Sequence, residues 1–393
     1  MQRSSETTGA SSEPSRGTPA TPARHSATTA ALIDLFTLHK VEPQWSSALT
    51  ATTAMALPLL AFTLAGQLTL GLTASLGSFL VLHLPDRSRR ERAVRLPVMM
   101  AGFMLAAVIG IVTGTSLLGG LAAMLAVAVV ASLLGLGFAV GSPGSMFYVL
   151  ITGAMGALTA PTSLQGAGLN AGVALGMLVV GMLTAYLVVL APLIVPSVRH
   201  RDAAMYASRL PWKFAFTADV ERIFWRLTIA TVVAVSVSAV LDLHRVQWVL
   251  LAIIAILQKD SEVRLSTLRA LHRVLGTAVA LLLFYLIALW DPDGWPLVAL
   301  IAVLMFLFRI LQPRNLGLSL VAITPMALVI AAKGAGEPLI DIVAVRVEDT
   351  SLGAGIAVLV LLAVTATRRV SAGRSSKLHP WVGLRRRRTS RRV

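Results

Sequence analysis

Arg269 and Arg273 stand four residues apart in LRALHRVLGTAVALLL (268–283), with Gly276 and Thr277 just behind them. On a helix this spacing puts both guanidinium groups on one face. Two such planar, permanently charged forks can collect a carboxylate through paired hydrogen bonds. Gly276 would leave space beside them, and Thr277 could hydrogen-bond a backbone carbonyl. The same arginines could instead pair with Asp260 and Glu262 for purely structural ends. Lys259 precedes this group, and a second basic loop, LPDRSRRERAVR (84–95), contributes Arg87 and Arg95. The candidate anion-binding residues are therefore Arg269, Arg273, Gly276, Thr277, Lys259, Arg87 and Arg95. Asp86, Asp260, Asp242 and Arg245 are the candidates for coupling or gating. His83, His244 and His272 share these rims, and an interfacial anchoring role is the alternative for every one of them.

Other chemistries find no residues. Cysteine is absent, which removes thiolate metal sites, disulfides and Cys nucleophiles. The seven histidines are scattered with no HExxH pair, so neither a metal nor a cofactor is expected. No nucleophile–base pair stands out, and catalytic residues are not expected. No Walker A pattern is present, which disfavours ATP-driven transport by this chain alone. GLGFAVG (135–141) lies within an apolar run and reads as helix packing.

The elements that must position the candidates are helices in lipid. Hydrophobic residues make up 56% of the chain and charged ones 13%, about half the share in soluble domains. Mean hydropathy is +0.79. Apolar runs near the length that crosses a ~30 Å hydrocarbon core recur about twelve times. The expected fold is an all-α polytopic membrane protein of about twelve transmembrane helices. Alternating those runs from a cytoplasmic N-terminus places 31 of the 34 Lys and Arg inside, leaving Arg245, Lys333 and Arg346 outside. Seven of the 18 acidic residues fall outside. The positive-inside rule thus selects this frame, with both termini cytoplasmic; the expected location is a bacterial inner (plasma) membrane. The net charge of +16 then reports topology, and nucleic acid is not an expected partner. The expected partners are the lipid bilayer and a small anionic substrate, with homo-oligomerisation left open.

Two halves follow the same order. Trp45 and Trp225 lie 180 positions apart, as do Gln67 and Gln247, and the loops opening at Asp86 and Asp260 end at Arg95 and Arg273. This predicts two parallel six-helix repeats related by an axis along the membrane normal, with a central seam as the default pathway. The expected division is a disordered tail at 1–40, a first repeat at 41–195, and a linker with an amphipathic helix at 196–225. A second repeat follows at 226–369 and a basic tail at 370–393. Gly168, Gly172 and Gly176 recur every four residues, as do the pairs Gly110/Gly114 and Gly137/Gly141, and such faces permit close helix approach. Pro161, Pro192 and Pro325 interrupt apolar runs, and Phe147 and Tyr148 stand beside another break. No charged residue falls near the middle of a run, so the chemistry is expected at the rims.

At the two basic loops the sequence resembles the fusaric acid resistance protein-like family, the aromatic acid exporter group. LTASLGSFLVLHLPDRSRRERAVRLPVM (72–99) is similar to that family's small-residue helix, Asp-Arg turn and basic stretch. Arg269, Arg273, Gly276 and Thr277 resemble its Arg-x(3)-Arg-x-x-Gly-Thr signature. The resemblance implies a non-enzymatic inner-membrane transporter that exports aromatic carboxylic acids or other small organic anions. Plant malate channels resemble the same six-helix unit, which leaves a passive anion channel as the alternative. A non-transporting scaffold for envelope assembly is the third reading.

Overall fold

The structure, a computed structural model, describes residues 37, 40, 41, 44–164, 166–207, 212–241, 246–258, 263–340, 348, 349, 351–360, 362 and 363. The expected terminal tails lie outside the described residues, apart from residues 37 and 40. What is described of the part from Leu38 onward is helical, with no strand among the described residues.

The helices are α1 (Trp45–Leu64), α2 (Leu68–Ser78, extended by a 3-10 turn Phe79–Leu82), α3 (Arg89–Thr113), α4 (Leu117–Gly137), α5 (Met146–Thr159) and α6 (Ala171–Leu190). The linker helix α7 (Pro196–Ala207) follows. Then come α8 (Ala218–Val240), α9 (Val246–Leu257), α10 (Val263–Trp290), α11 (Gly294–Leu311), α12 (Leu316–Ala335) and α13 (Ser351–Val360). Seven are long and apolar enough to cross a membrane: α1, α3, α4, α6, α8, α11 and α12. The others of the bundle are shorter apolar segments, Leu68–Leu82, Met146–Thr159, Val246–Leu257, Leu275–Trp290 and Ser351–Val360.

Their starts are written in the sequence. Ser88 accepts from Glu91 N at 3.1 Å and Ser116 from Gly119 N at 3.1 Å. Asn170 accepts from Gly172 N and Val173 N, Thr217 from Val220 N, and Asn315 from Leu318 N. Each satisfies an amide that a helix start leaves unpaired. The α12 helix ends at Gly336, in the left-handed conformation with φ +70°, the usual glycine stop.

Length follows surroundings. On α3, Val94, Val98, Leu105, Val108 and Val112 are all exposed. Their spacing is one helix face, and an exposed apolar stripe of that extent is lipid-facing. Trp45, Trp225, Trp290 and Trp295 are also exposed, near helix ends. The short α2 and α9 are instead buried on nearly every side, from Gly71 to Ser78 and over most of Val246–Leu257. A helix enclosed by other helices has no lipid to match, so it is free to be shorter than the ~30 Å core requires.

Packing is close where glycine removes a side chain. A Cβ at Gly77 of α2 would lie 2.2 Å from Leu178 O, and one at Gly181 of α6 would lie 1.8 Å from Ala74 O. Gly110 of α3 faces Thr152 O of α5, and Gly276 of α10 faces Gly317 O of α12. The expected stripe on α6 is not one of these contacts. Gly168 precedes the helix, and a Cβ at Gly176 would meet nothing within 4 Å. Gly137 seats the ring of Phe214 from the linker, not another helix. Pro325 lies inside the continuous α12, whereas Pro161 follows the end of α5 and Pro192 sits in a 3-10 turn after α6.

Four helices meet at the centre: α2 packs on α12, and α9 packs on α5. Around them α1 lies against α11 and α4 against α8. The α2–α6, α3–α5 and α10–α12 pairs also pack extensively, as do the sequential pairs α1–α2 and α11–α12.

Candidate functional site

The end of the bundle that carries the α2–α3 loop is dense in arginine, and several of these arginines are enclosed. Arg92 and Arg309 are 6% and 5% exposed. One Arg92 nitrogen donates to Val81 O at 2.6 Å, at the end of α2, where carbonyls have no helical partner. Arg309, in the last turn of α11, donates to Gln312 Oε1 at 2.6 Å and to Ser47 Oγ of α1 at 2.5 Å. Every one of these acceptors is neutral. No carboxylate among the described residues lies within 4.0 Å of either guanidinium. Both Nε atoms are buried without a hydrogen-bond partner. The charges of Arg89 and Arg309 act repulsively on Arg92, and Asp86 acts on Arg309 from beyond ion-pair distance. A buried cation without a counter-ion is costly. Two that bear on one another form a ready site for an anion, which would relieve both desolvation and repulsion.

Neighbouring arginines are committed elsewhere. Arg95 pairs with Glu91 at 2.6 Å, both buried, and its guanidinium lies 5.0 Å from the Trp212 ring centroid. Arg87 reaches the same Glu91 only at 4.0 Å and remains partly exposed. Arg89 donates to Val189 O at 2.8 Å, while its backbone amide and that of Arg90 both donate to Asp202 of α7. The linker helix is thereby fastened to the start of α3, where a carboxylate also meets the positive end of the helix dipole. Arg226 donates to Leu257 O at 3.0 Å, at the end of α9, as Arg92 does at the end of α2.

Of the residues singled out in the sequence, Arg95 is thus held in an ion pair, Arg87 reaches the edge of that pair, and Asp86 acts on Arg309 from beyond ion-pair distance. Gly276 and Thr277 lie at the α10–α12 crossing, where Gly276 admits the Gly317 backbone. Thr277 Oγ1 is buried and makes no hydrogen bond, so the expected bond to a carbonyl is not formed. Arg269 and Arg273 fall within α10, four residues apart on its first turns, with side chains outside the described part. Lys259, Asp260, Asp242 and Arg245 lie outside the described residues. Arg92 and Arg309 were legible only through helical phase. Arg92 precedes Leu96, Met99, Phe103 and Gly110, all buried on one face of α3, and Arg309 follows Met305 and Phe308 on the buried face of α11.

His83, the first residue beyond the apolar segment Leu68–Leu82, sits directly behind this cluster and is fully buried. Its ring meets Phe103, Phe147 and Tyr148 edge-on at centroid distances of 5.3, 5.9 and 6.1 Å. Neither ring nitrogen makes a hydrogen bond of normal geometry. Burial pushes its pKa down to about 4, aided by the charge of Arg92, and outweighs the nearby Leu80, Gly144 and Phe79 backbone, which favours the charged form. Phe147 stacks on Phe79 at 4.5 Å. Together these rings separate the arginine cluster from a cavity on their far side.

That cavity has a volume of about 420 Å³ and lies among α2, the α3–α4 turn with the adjoining ends of α3 and α4, α5, α9 and α12, toward the opposite end. Phe79 contributes to its wall, as do Thr73, Thr152, Gln247 and Trp248. Trp248 therefore belongs to the interior wall. Glu337 is the one charged residue among the described lining.

A helical bundle with lipid-facing stripes and an enclosed polar cluster defines a multi-pass membrane protein. Residues 229–360, from within α8 to α13, match the family model described as fusaric acid resistance protein-like, and this part of the chain is similar to that family. Neither the curated proteins nor the solved structures give a match to this chain. The family points to a membrane transport or resistance role rather than to an enzyme.

Proposed function

We infer that the protein is a secondary transporter that exports small organic anions, aromatic carboxylic acids among them, across a bacterial inner membrane. The observation that carries this reading is the Arg92–Arg309 pair, buried and without a carboxylate partner among the described residues. The arginine-rich end faces the cytoplasm in this reading, and its exposed arginines gather anions that the buried pair then holds. The shorter apolar helices complete twelve crossings, arranged as two parallel repeats. The packing supports this: α2 on α12 answers α9 on α5, α1 on α11 answers α8 on α4, and α3 on α5 answers α10 on α12. Each matched pair exchanges corresponding helices of the two halves, as a two-fold along the membrane normal requires. The seam between α2, α5, α9 and α12 is the transport route.

The aromatic group Phe79, Phe103, Phe147 and Tyr148 closes that route between the arginine cluster and the cavity. This favours a carrier, which must open one side at a time, over a passive anion channel. Uptake of radiolabelled benzoate into proteoliposomes tests the reading. Concentrative uptake by the wild type, reduced about tenfold or more in Arg92→Gln and Arg309→Gln, is expected. Absence of benzoate movement in vesicles, together with unchanged weak-acid susceptibility of a deletion strain, would sink it. Unitary currents in planar bilayers would select the channel instead.

A further inference from the structure

Two arginines from different helices converge on the first turn of α1. Arg89 Nη2 donates to Ser46 Oγ at 3.2 Å, and Arg309 Nη2 donates to Ser47 Oγ at 2.5 Å. Both serine oxygens accept, so each hydroxyl keeps its own proton to give. No side chain caps this helix start, and the amides of a first turn have no helical acceptor. Two guanidinium groups, two hydroxyls and a helix N-terminus therefore offer donors to one small region.

Its positive charge is not balanced nearby. Arg309 is 5% exposed, its Nε is buried without a partner, and its other nitrogens meet Gln312 and Ser47. The Arg89 guanidinium meets Val189 O and Ser46 Oγ, and no carboxylate among the described residues lies within 4.0 Å of it. Asp202, the acidic neighbour of Arg89, is engaged by the backbone amides of Arg89 and Arg90. The region is open at the surface, with Ser46 exposed and Arg89 and Ser47 half-buried. Trp45, beside Ser46, is exposed and its ring lies 5.9 Å from that of Phe306 on α11. Leu49, one turn further along α1, and Val303 and Leu307, flanking Phe306, are exposed as well. A donor-rich, cationic helix start thus adjoins an apolar face of α1 and α11, with Trp45 at the boundary, where indole favours the membrane interface.

We propose that the start of α1 binds the phosphate of an anionic phospholipid. Arg89, Ser46 and Ser47 donate to the phosphate oxygens, and an acyl chain runs along Trp45, Leu49 and the Val303–Leu307 face. Arg309 adds charge from behind, through Ser47. A free phosphate would meet the same donors but leave the apolar face unused. A zwitterionic headgroup brings a cation that meets two like charges. The site lies on the lipid side of the bundle and does not depend on the transport reading.

Native mass spectrometry of the full-length protein in detergent, titrated with dioleoylphosphatidylglycerol or dioleoylphosphatidylcholine, tests this. The wild type is expected to retain one phosphatidylglycerol, about tenfold more tightly than phosphatidylcholine. Arg89→Gln should abolish that preference. Arg222→Gln, which alters an exposed arginine paired with Asp219, should keep it. Ser46→Glu sets a carboxylate beside Arg89 at a helix start, which favours the fold but fills the site. It should therefore lose phosphatidylglycerol while the lipid-free protein melts no lower than the wild type, so that lost binding is not lost folding. Inorganic phosphate should not displace the lipid. Equal retention of the two lipids, equal losses in Arg89→Gln and Arg222→Gln, or displacement by inorganic phosphate would overturn the proposal. Benzoate enters none of these measurements, so a failure here and a failure of anion transport are read separately.

Discussion

Arg92 and Arg309 come from different halves of the chain, are both buried, and meet in one cluster where neither has a carboxylate of the described residues within 4.0 Å. Their charges repel. An arginine that only braces helices leaves a void and a lost ion pair when replaced. An arginine held for an absent anion leaves relief. Arg309→Gln and Arg92→Gln are therefore expected to keep or raise thermal stability, within about 1 kcal/mol of the wild type. Glutamine retains a donor for Val81 O or Ser47 Oγ in each case. Benzoate or sulfate should raise the melting temperature of the wild type and not of either variant, since only an occupied site stabilises by mass action. A fall of several degrees in both variants without ligand would make the arginines structural.

Arg95 is predicted to behave in the opposite way. Its partner Glu91 lies 2.6 Å away, and both are buried. Arg95→Met would strand the carboxylate, at a cost of about 3–5 kcal/mol. Arg87→Met, which removes only a 4.0 Å contact from a partly exposed side chain, should cost under about 1 kcal/mol. Thermal melts of the two variants in detergent provide the comparison. Equal losses would mean that Arg87, not Arg95, carries the Glu91 pair.

The contrast between Arg95 and Arg92 also marks where sequence reading stops. Both belong to one run of arginines, and nothing in residue type separates them. Three positions along α3 rotate a side chain by about 300°, enough to move it from the Glu91–Trp212 niche to the end of α2. Helical class and the basic loops were legible because lipid imposes them on composition. The division of labour among arginines was not, because it depends on which carbonyl or carboxylate a neighbouring helix brings near. The glycines teach the same lesson. A four-residue spacing marks a smooth face, but only a partner makes it a contact, and Gly176 has none within 4 Å.

That distinction yields a paired test. Gly181→Ala places a methyl group 1.8 Å from Ala74 O, a backbone atom that cannot swing aside, whereas Gly176→Ala meets nothing. The first should destabilise by about 1–3 kcal/mol or more through forced separation of α2 and α6. The second should be neutral or slightly stabilising, because alanine suits a helix better than glycine. Size-exclusion monodispersity and melting temperature give the readout. A Gly176→Ala variant as damaged as Gly181→Ala would indicate a contact on the exposed face of α6.

His83 supplies a prediction about pH. Its pKa falls from 6.5 to about 4 on folding, chiefly because burial disfavours the imidazolium. The groups facing it are Arg92 from α3 and Tyr148 from α5, with Phe103 and Phe147 completing the surround. Between those two pKa values the unfolded chain binds a proton that the folded one refuses, so stability rises with pH there. The contribution is fully present above about 6.5 and is lost as pH falls toward 4, on the order of 3 kcal/mol in total. Replacement by Phe or Leu removes this dependence. The melting temperature of His83→Phe should thus fall less than that of the wild type between pH 7 and about 4. Parallel slopes for the two proteins would mean that His83 is already solvated or paired in the folded state, and that the aromatic surround does not exclude water from it.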